Sequence, residues 1–236
     1  MTFSLKRSLA IFRKDYKDVS KNLYVSTTVL MPLILAAVYG RTGVETVEVY
    51  FLVFNLTFTM VAAYVQSALI AEEKEKNTLR GLMLSPATTA EILGGKSMLS
   101  FLGTLIVLVM CAFFMEYQPG NLLIISVASL ISIVFYIGIG TLIGLLTRSV
   151  MEASVAILPV AFFFSFVPLV KPFMDEYPIL KAVNFFPNLQ LIELANQIET
   201  GAGWGDSWSA ILIILGWTVV ITSFVVAVYN RKMVDH

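Results

Sequence analysis

Residues 71–97, AEEKEKNTLRGLMLSPATTAEILGGKS, lie between two long apolar runs. The stretch opens with Glu72, Glu73, Lys74, Glu75 and Lys76 and returns to hydrophobic sequence through Gly94, Gly95 and Lys96. Read alone, AEEKEKN continues a helix out of the preceding apolar run, with Glu72 and Lys76 at the i,i+4 spacing that supports it. Leu79, Leu82, Met83 and Leu84 then form an apolar patch, and Ser85-Pro86 ends the helical run. Thr88 to Glu91 has capping-box spacing and restarts a helix. The stretch therefore reads as a short helical excursion with an apolar tip. Such a tip held outside lipid needs another protein to cover it or must fold back on its own subunit; exposed apolar patches mark interaction sites, which favours the partner.

The flanking runs set the class. The chain has 236 residues, 58% hydrophobic and 14% charged, against about 25% charged for a soluble domain. The apolar residues gather in runs near the ~20 residues that a helix needs to cross a bilayer. Six spans are expected, near Leu23–Tyr39, Val49–Ala71, Ser97–Met115, Asn121–Leu146, Val150–Val170 and Trp208–Tyr229. Backbone groups in hydrocarbon must be satisfied within a helix or a closed barrel, and unbroken apolar runs lack the alternation of barrel strands. The expectation is an all-α integral membrane protein with one transmembrane domain over residues 1–236. Of the 16 Lys and Arg residues, this topology leaves only Arg41, Lys171 and Lys181 on one face. The positive-inside rule then places both termini and segment 72–96 in the cytoplasm.

Residues 2–22 read as an amphipathic interfacial helix, in which Phe3, Leu5, Leu9, Ile11, Phe12 and Tyr16 alternate with basic residues suited to anionic headgroups. That stretch is too charged for a cleavable signal peptide, so the first span is expected to act as an uncleaved anchor. Outer segment 171–207 is too polar to span. In it Leu191, Leu194, Ala195 and Ile198 recur at helical spacing, with Asn188 as candidate cap and Gly201 as candidate stop.

Several chemistries find no support. Net charge is zero, which gives no sign of nucleic-acid binding. One histidine, His236, and one cysteine, Cys111, supply neither a metal site nor a nucleophile with its base. AEILGGKS (90–97) ends like a P-loop, but Ala90 stands where the first glycine belongs and no strand precedes it. No Asp, Glu, Lys or Arg falls near the middle of a span, which disfavours an ion-coupled carrier.

The basic N-terminal helix, the six spans and the motif EEKEKNTLRGLMLSPATTAEILGGK together resemble the ABC-2 family, the membrane permeases of ATP-binding-cassette exporters. Glu73, Glu75, Thr78, Leu79, Leu84, Pro86, Glu91 and Lys96 match the family pattern, and FFPNLQLIELANQI (185–198) resembles its outer segment. Asn77 departs from it, since many members carry glycine there. The resemblance implies a permease that pairs with a second chain, expected to be identical. Two copies of a cytosolic ATPase, which carry ATP and Mg, would dock on the cytoplasmic segment. Glu73, Glu75, Thr78, Leu79, Leu82, Leu84, Pro86 and Lys96 would couple them to the spans, assisted by the N-terminal helix.

In related exporters the substrate path runs between the paired chains along spans two and five. Phe58, Tyr64, Phe162 and Phe166 are the candidates here, for a hydrophobic or amphipathic cargo such as a peptide, toxin, drug or lipid-linked molecule. Gly140 and Gly144 form a small-xxx-small face, and Pro32 and Pro159 are candidate kinks. The setting implied is a bacterial plasma membrane, with direction outward. A secondary carrier and a membrane scaffold that recruits a cytosolic protein are the alternative functions.

Overall fold

The computed structural model describes residues 5–78, 81, 88–168 and 177–234, and among these every regular element is helical. In chain order they are α1 (Leu5–Lys21), α2 (Leu23–Thr28), α3 (Leu30–Thr42), α4 (Val47–Glu75), α5 (Thr89–Phe114), α6 (Leu122–Leu146), α7 (Val150–Phe166), α8 (Pro187–Glu199) and α9 (Trp204–Val234). A 3-10 turn, Pro178–Phe185, leads into α8.

Four stretches are long and apolar enough to cross a bilayer: Val47–Glu75, Glu91–Phe114, Leu122–Leu146 and Trp204–Arg231. The expected first and fifth spans are shorter, at Leu30–Thr42 and Val150–Phe166. Proline accounts for the first. A continuous first helix would need an N–H from residue 32 to reach the carbonyl of Thr28, and Pro32 has none. The chain breaks at Val29, and Pro32 falls in the first turn of α3, where a missing N–H costs little. It ends a helix there instead of kinking one. In the fifth span Pro159 sits inside α7, and the helix ends at Phe166, short of the expected Val170, with Val167 still in the α region and its N–H donating to Phe163 O.

α4 is the axis of the bundle and is buried for most of its length, with α5, α6 and α7 packed around it and α3 and α8 against its outer half. Midway, Phe58–Tyr64 widens into π-helical bonding. Two glycines of α6 admit this helix. A Cβ on Gly140 would stand 2.1 Å from the Ala63 carbonyl oxygen, and one on Gly144 would meet Ile70 at 2.6 Å. The small-residue face therefore serves packing within the chain. α9 lies on α6 and α8 at the bundle's flank.

Asn77 explains its own departure from glycine. It adopts φ +56°, the left-handed region, while its N–H donates to Lys74 O at 3.0 Å and that of Thr78 to Glu73 O at 2.8 Å. This is a Schellman ending, and asparagine is one of the few side chains that enters the left-handed region readily. Gly201 (φ +96°) closes α8 in the same way, as its sequence suggests. Asn188 does not cap α8. Phe186 holds the cap position and Pro187 opens the helix, leaving Asn188 to donate through Nδ2 to Phe164 O at 2.8 Å.

Candidate functional site

The capping box read in the sequence forms: Glu91 N–H donates to Thr88 Oγ1 at 3.3 Å, and Thr88 N–H to Glu91 Oε2 at 2.7 Å. α5 therefore begins at Thr89, some two turns before the expected span, and carries Glu91 and Lys96 on regular helix below the apolar stretch. α1 crosses it there. Its buried face is Ser8, Ile11 and Asp15, whereas Leu9 and Tyr16 are exposed. The helix is thus docked on protein through a face that includes a carboxylate. Gly95 makes the approach possible, because a Cβ there would lie 2.9 Å from Ser8 O.

Charge fixes the crossing. Arg7 grips Glu91 through both carboxylate oxygens, Nη2 to Oε1 at 2.7 Å and Nε to Oε2 at 3.1 Å. Eight residues on, Asp15 receives the Lys96 ammonium at 3.2 and 3.3 Å, and the same ammonium reaches Glu73 Oε1 of α4 at 3.1 Å. Lys14 and the Thr78 hydroxyl also donate to Glu73. Lys96 is 0% exposed and Asp15 1%. Burial pushes the Asp15 carboxyl above the ordinary carboxylate range, and the adjacent Lys96 opposes that shift without cancelling it.

The next two residues reach elsewhere. Lys74 Nζ donates to Leu145 O at 2.8 Å and also to Thr147 O, at the C-terminal end of α6. Glu75 Oε2 accepts from Val150 N–H at 3.0 Å, the first residue of α7. Each charge has the sign that the helix dipole favours at that terminus. Glu73, Lys74 and Glu75 thus join the last turn of α4 to four neighbours: α1 and α5, then α6, then α7. On the outer side of this turn Glu72 and Lys76 pair at 2.5 Å.

Of the residues expected to couple the segment to the spans, Glu73, Glu75, Thr78 and Lys96 meet at this junction or beside it. Leu79, Leu82, Leu84 and Pro86 lie outside the described residues. Arg7, Lys14, Asp15 and Lys74 enter the sequence reading only as charges on the cytoplasmic face, with no individual role. The available signal was Asp15 itself, an acid in register with Ser8 and Ile11 on a strongly basic helix.

A second polar node lies deeper. Gln66 of α4 donates to Thr141 Oγ1 of α6 at 3.0 Å and Ser97 Oγ of α5 at 3.4 Å, and accepts from Ser100 Oγ at 2.7 Å. The other polar residues of α4 are mostly satisfied too. Thr57 and Thr59 donate to carbonyls of their own helix, and Tyr64 Oη lies 3.2 Å from Ser154 Oγ. Asn55 is the exception: it is fully buried and neither side-chain polar atom has a partner among the described residues. Tyr136 Oη, Ser165 Oγ and Asn188 Oδ1 share that condition. All four surround one aromatic cluster, in which Tyr136 stacks on Phe58 at 5.4 Å and meets Phe164 at 5.2 Å.

Beside this cluster a groove of about 540 Å³ runs between α3, α4 and α7, walled by residues that include Met31, Leu56, Phe162, Ser165 and Phe166. Of the four aromatic candidates, Phe162 and Phe166 lie on it, while Phe58 and Tyr64 are buried behind it in the core. Ser165 belongs both to the groove wall and to the set of unpaired polar groups.

No curated protein matches the chain. A family model, that of the ABC-2 family transporter proteins, matches residues 13–228, from within α1 almost to the end of α9. With its long apolar helices, the chain is a multi-pass membrane protein and belongs to the ABC-2 family of transporter proteins.

Proposed function

We propose that this chain is the membrane permease half of an ATP-driven exporter of hydrophobic or amphipathic cargo. It would cross the bacterial plasma membrane six times with both termini in the cytoplasm, and pair with an identical chain. A separate cytosolic ATPase binds ATP and Mg, docks on the segment following Asn77, and supplies the force. The observation that carries this reading is the triple clasp at Glu73, Lys74 and Glu75. Whatever moves segment 76–88 pulls on the last turn of α4, and that turn is tied by charge to α1, α5, α6 and α7 at once. ATPase closure can drive transport only by favouring one packing of the spans over another, and this junction would deliver that bias to the whole bundle.

The groove between α3, α4 and α7 is the part of the cargo path that each chain brings to the pair. Its apolar wall, with Phe162 and Phe166, suits greasy cargo. The unpaired Asn55, Tyr136, Ser165 and Asn188 behind it support a second packing in which these groups meet water or cargo. Two variants test the assignment in the reconstituted chain. Leu79→Glu with Leu84→Glu abolishes co-purification of the ATPase while the permease still inserts; normal co-purification overturns the docking role. Lys74→Ala with Glu75→Gln retains the ATPase but loses cargo-stimulated hydrolysis, and unchanged stimulation refutes the clasp as the coupling element.

A further inference from the structure

On the flank away from the cargo groove, α5, α6 and α9 enclose a second concavity of about 490 Å³. Its wall includes Gly94, Met98 and Leu102 of α5, Val134 of α6, and Thr222 and Val226 of α9. These positions lie in the half of each helix that ends at the charged junction. Met98, Leu102, Val134 and Val226 are more than a third exposed, so the opening faces outward, into hydrocarbon where these helices span a bilayer. The space exists because side chains are missing or small, and a Cβ built on Gly94 meets nothing within 4 Å.

The hydroxyls on this wall are already engaged. Thr222 donates to Thr218 O at 2.7 Å, Thr141 donates to Ile137 O at 2.9 Å and accepts from Gln66, and Ser97 accepts from Gln66. What remains is a carbon surface that can hold only an apolar occupant. Close to its junction end, α1 crosses α5 at Gly95 and turns a basic face outward. A shallow depression there is lined by Lys6, Arg13, Lys14 and Lys17 with Leu9 and Ala10. About one helix diameter, 10–12 Å, separates that face from the surface on which α1 rests. An apolar slot and a basic platform at adjoining sites match the two parts of one molecule.

We infer that the groove between α5, α6 and α9 holds an acyl chain of an anionic phospholipid from the inner leaflet, whose headgroup rests on the basic face of α1. The occupant is a resident of the membrane and not cargo, because the slot lies on the opposite flank from Phe162 and Phe166. It also shares Ser97 and Thr141 with the Gln66 node, so a seated chain fixes the spacing of α5 and α6 where α4 is hydrogen-bonded to both.

The test uses the full chain in liposomes with two photoreactive probes: phosphatidylglycerol and phosphatidylcholine, each with a diazirine in one acyl chain. Labelled residues are mapped by mass spectrometry. Labelling should concentrate at Met98, Leu102, Val134 and Val226 relative to Ile106, Val109 and Phe113, which are as exposed or more so on the same face-to-lipid helix. Gly94→Phe places a ring in the slot without touching backbone and should reduce groove labelling about tenfold, the equivalent of 1.4 kcal/mol, while leaving Phe113 unchanged. Phosphatidylglycerol should label more than phosphatidylcholine, and Lys6→Gln with Arg13→Gln and Lys17→Gln should abolish the difference. Equal labelling at the groove and at Phe113 means ordinary annular lipid and overturns the site. Groove labelling that survives Gly94→Phe overturns it too, as does disulfide crosslinking of two chains through Met98→Cys. A headgroup preference untouched by the triple variant overturns the role of α1.

Discussion

Lys96→Met isolates the buried charge cluster. In the native chain the ammonium neutralises two carboxylates, Asp15 at 3.2 Å and Glu73 at 3.1 Å, with no solvent access. After substitution Glu73 keeps Lys14 and the Thr78 hydroxyl. Asp15 loses the ammonium that donated to both of its oxygens. Breaking a buried pair from one side costs about 3–5 kcal/mol, because a charge is left in low dielectric. At 1.4 kcal/mol per decade, α1 undocking rises by about two to three and a half powers of ten. Removing both charges in Asp15→Leu with Lys96→Met should return most of that loss, since replacing a buried pair by apolar groups is often neutral. The assay is trypsin cleavage at Arg13 and Lys17 in proteoliposomes, which tracks the undocked population when reclosing is fast. Modification of the buried Cys111 thiol reports whether the bundle itself stays closed.

The sign with pH is fixed as well. Asp15 already sits above its unfolded value. Its contribution to docking is therefore complete below the unfolded pKa and declines as pH rises through the folded one. Without Lys96 the folded value moves higher still, so the ratio of Lys96→Met to wild-type cleavage, measured at each pH to cancel the protease's own pH dependence, should fall as pH falls from about 8 toward 5. Cleavage equal to wild type, or a double variant cut as fast as the single one, refutes the reasoning.

Three further outcomes follow from local geometry. Gly95→Ala should weaken α1 docking by about 1–3 kcal/mol, the range for overpacking, whereas Gly94→Ala, whose Cβ enters open space, should be nearly neutral in the same cleavage assay. Asn77→Val, forced to φ +56°, should destabilise the exit from α4 by about 1–2 kcal/mol relative to Asn77→Gly, measured as a lower thermal midpoint by Cys111 thiol reactivity. Asn55→Leu removes two unpaired polar atoms and should raise that midpoint, by up to about 1–3 kcal/mol of stability, while lowering transport if Asn55 serves the alternate packing; a lower midpoint sinks the assignment of Asn55 as unsatisfied.

The architecture was legible where a local rule governed it. Apolar runs gave the four long apolar helices, Thr88 and Glu91 gave the capping box, Glu72 and Lys76 their pair, and Gly201 the stop of α8. The misjudged features depend on partners far away in the chain. α1 has an amphipathic pattern that suits a membrane surface, and only the tertiary position of Lys96, 81 residues from Asp15, turns its acid face inward. Gly94 and Gly95 look equivalent in sequence, yet one faces a groove and the other a helix. Phe58 and Phe162 both read as span aromatics; the side each takes is decided by α6, whose Tyr136 claims the first. Asn188 has the chemistry of a cap, but Pro187 before it opens the helix and moves the cap two residues earlier, to Phe186.

The distribution of satisfied and unsatisfied polar groups divides the bundle along its axis. At the charged end, every side chain from Glu72 to Lys76 has a partner, and the contacts reach α1, α5, α6 and α7. One level in, Gln66 is satisfied by three hydroxyls on two helices. Toward the charged end Tyr229 Oη, packed with Ile70 and Leu145, is the one buried side-chain atom left unpaired among the described residues. From the π-helical segment outward the pattern reverses, with Asn55, Tyr136, Ser165 and Asn188 carrying buried atoms that pair with nothing among the described residues. Each such atom costs about 1–3 kcal/mol relative to a satisfied one. The outer half is therefore held less far below any rearranged state in which those atoms gain partners. A displacement applied at Glu73–Glu75 meets stiff, cross-tied helices first and acts on the half whose alternative packing is nearest in energy. Small shifts become discrete transitions when a packed region has two arrangements of comparable free energy, and the π-helical turns at Phe58–Tyr64 lie at the boundary between the two regimes.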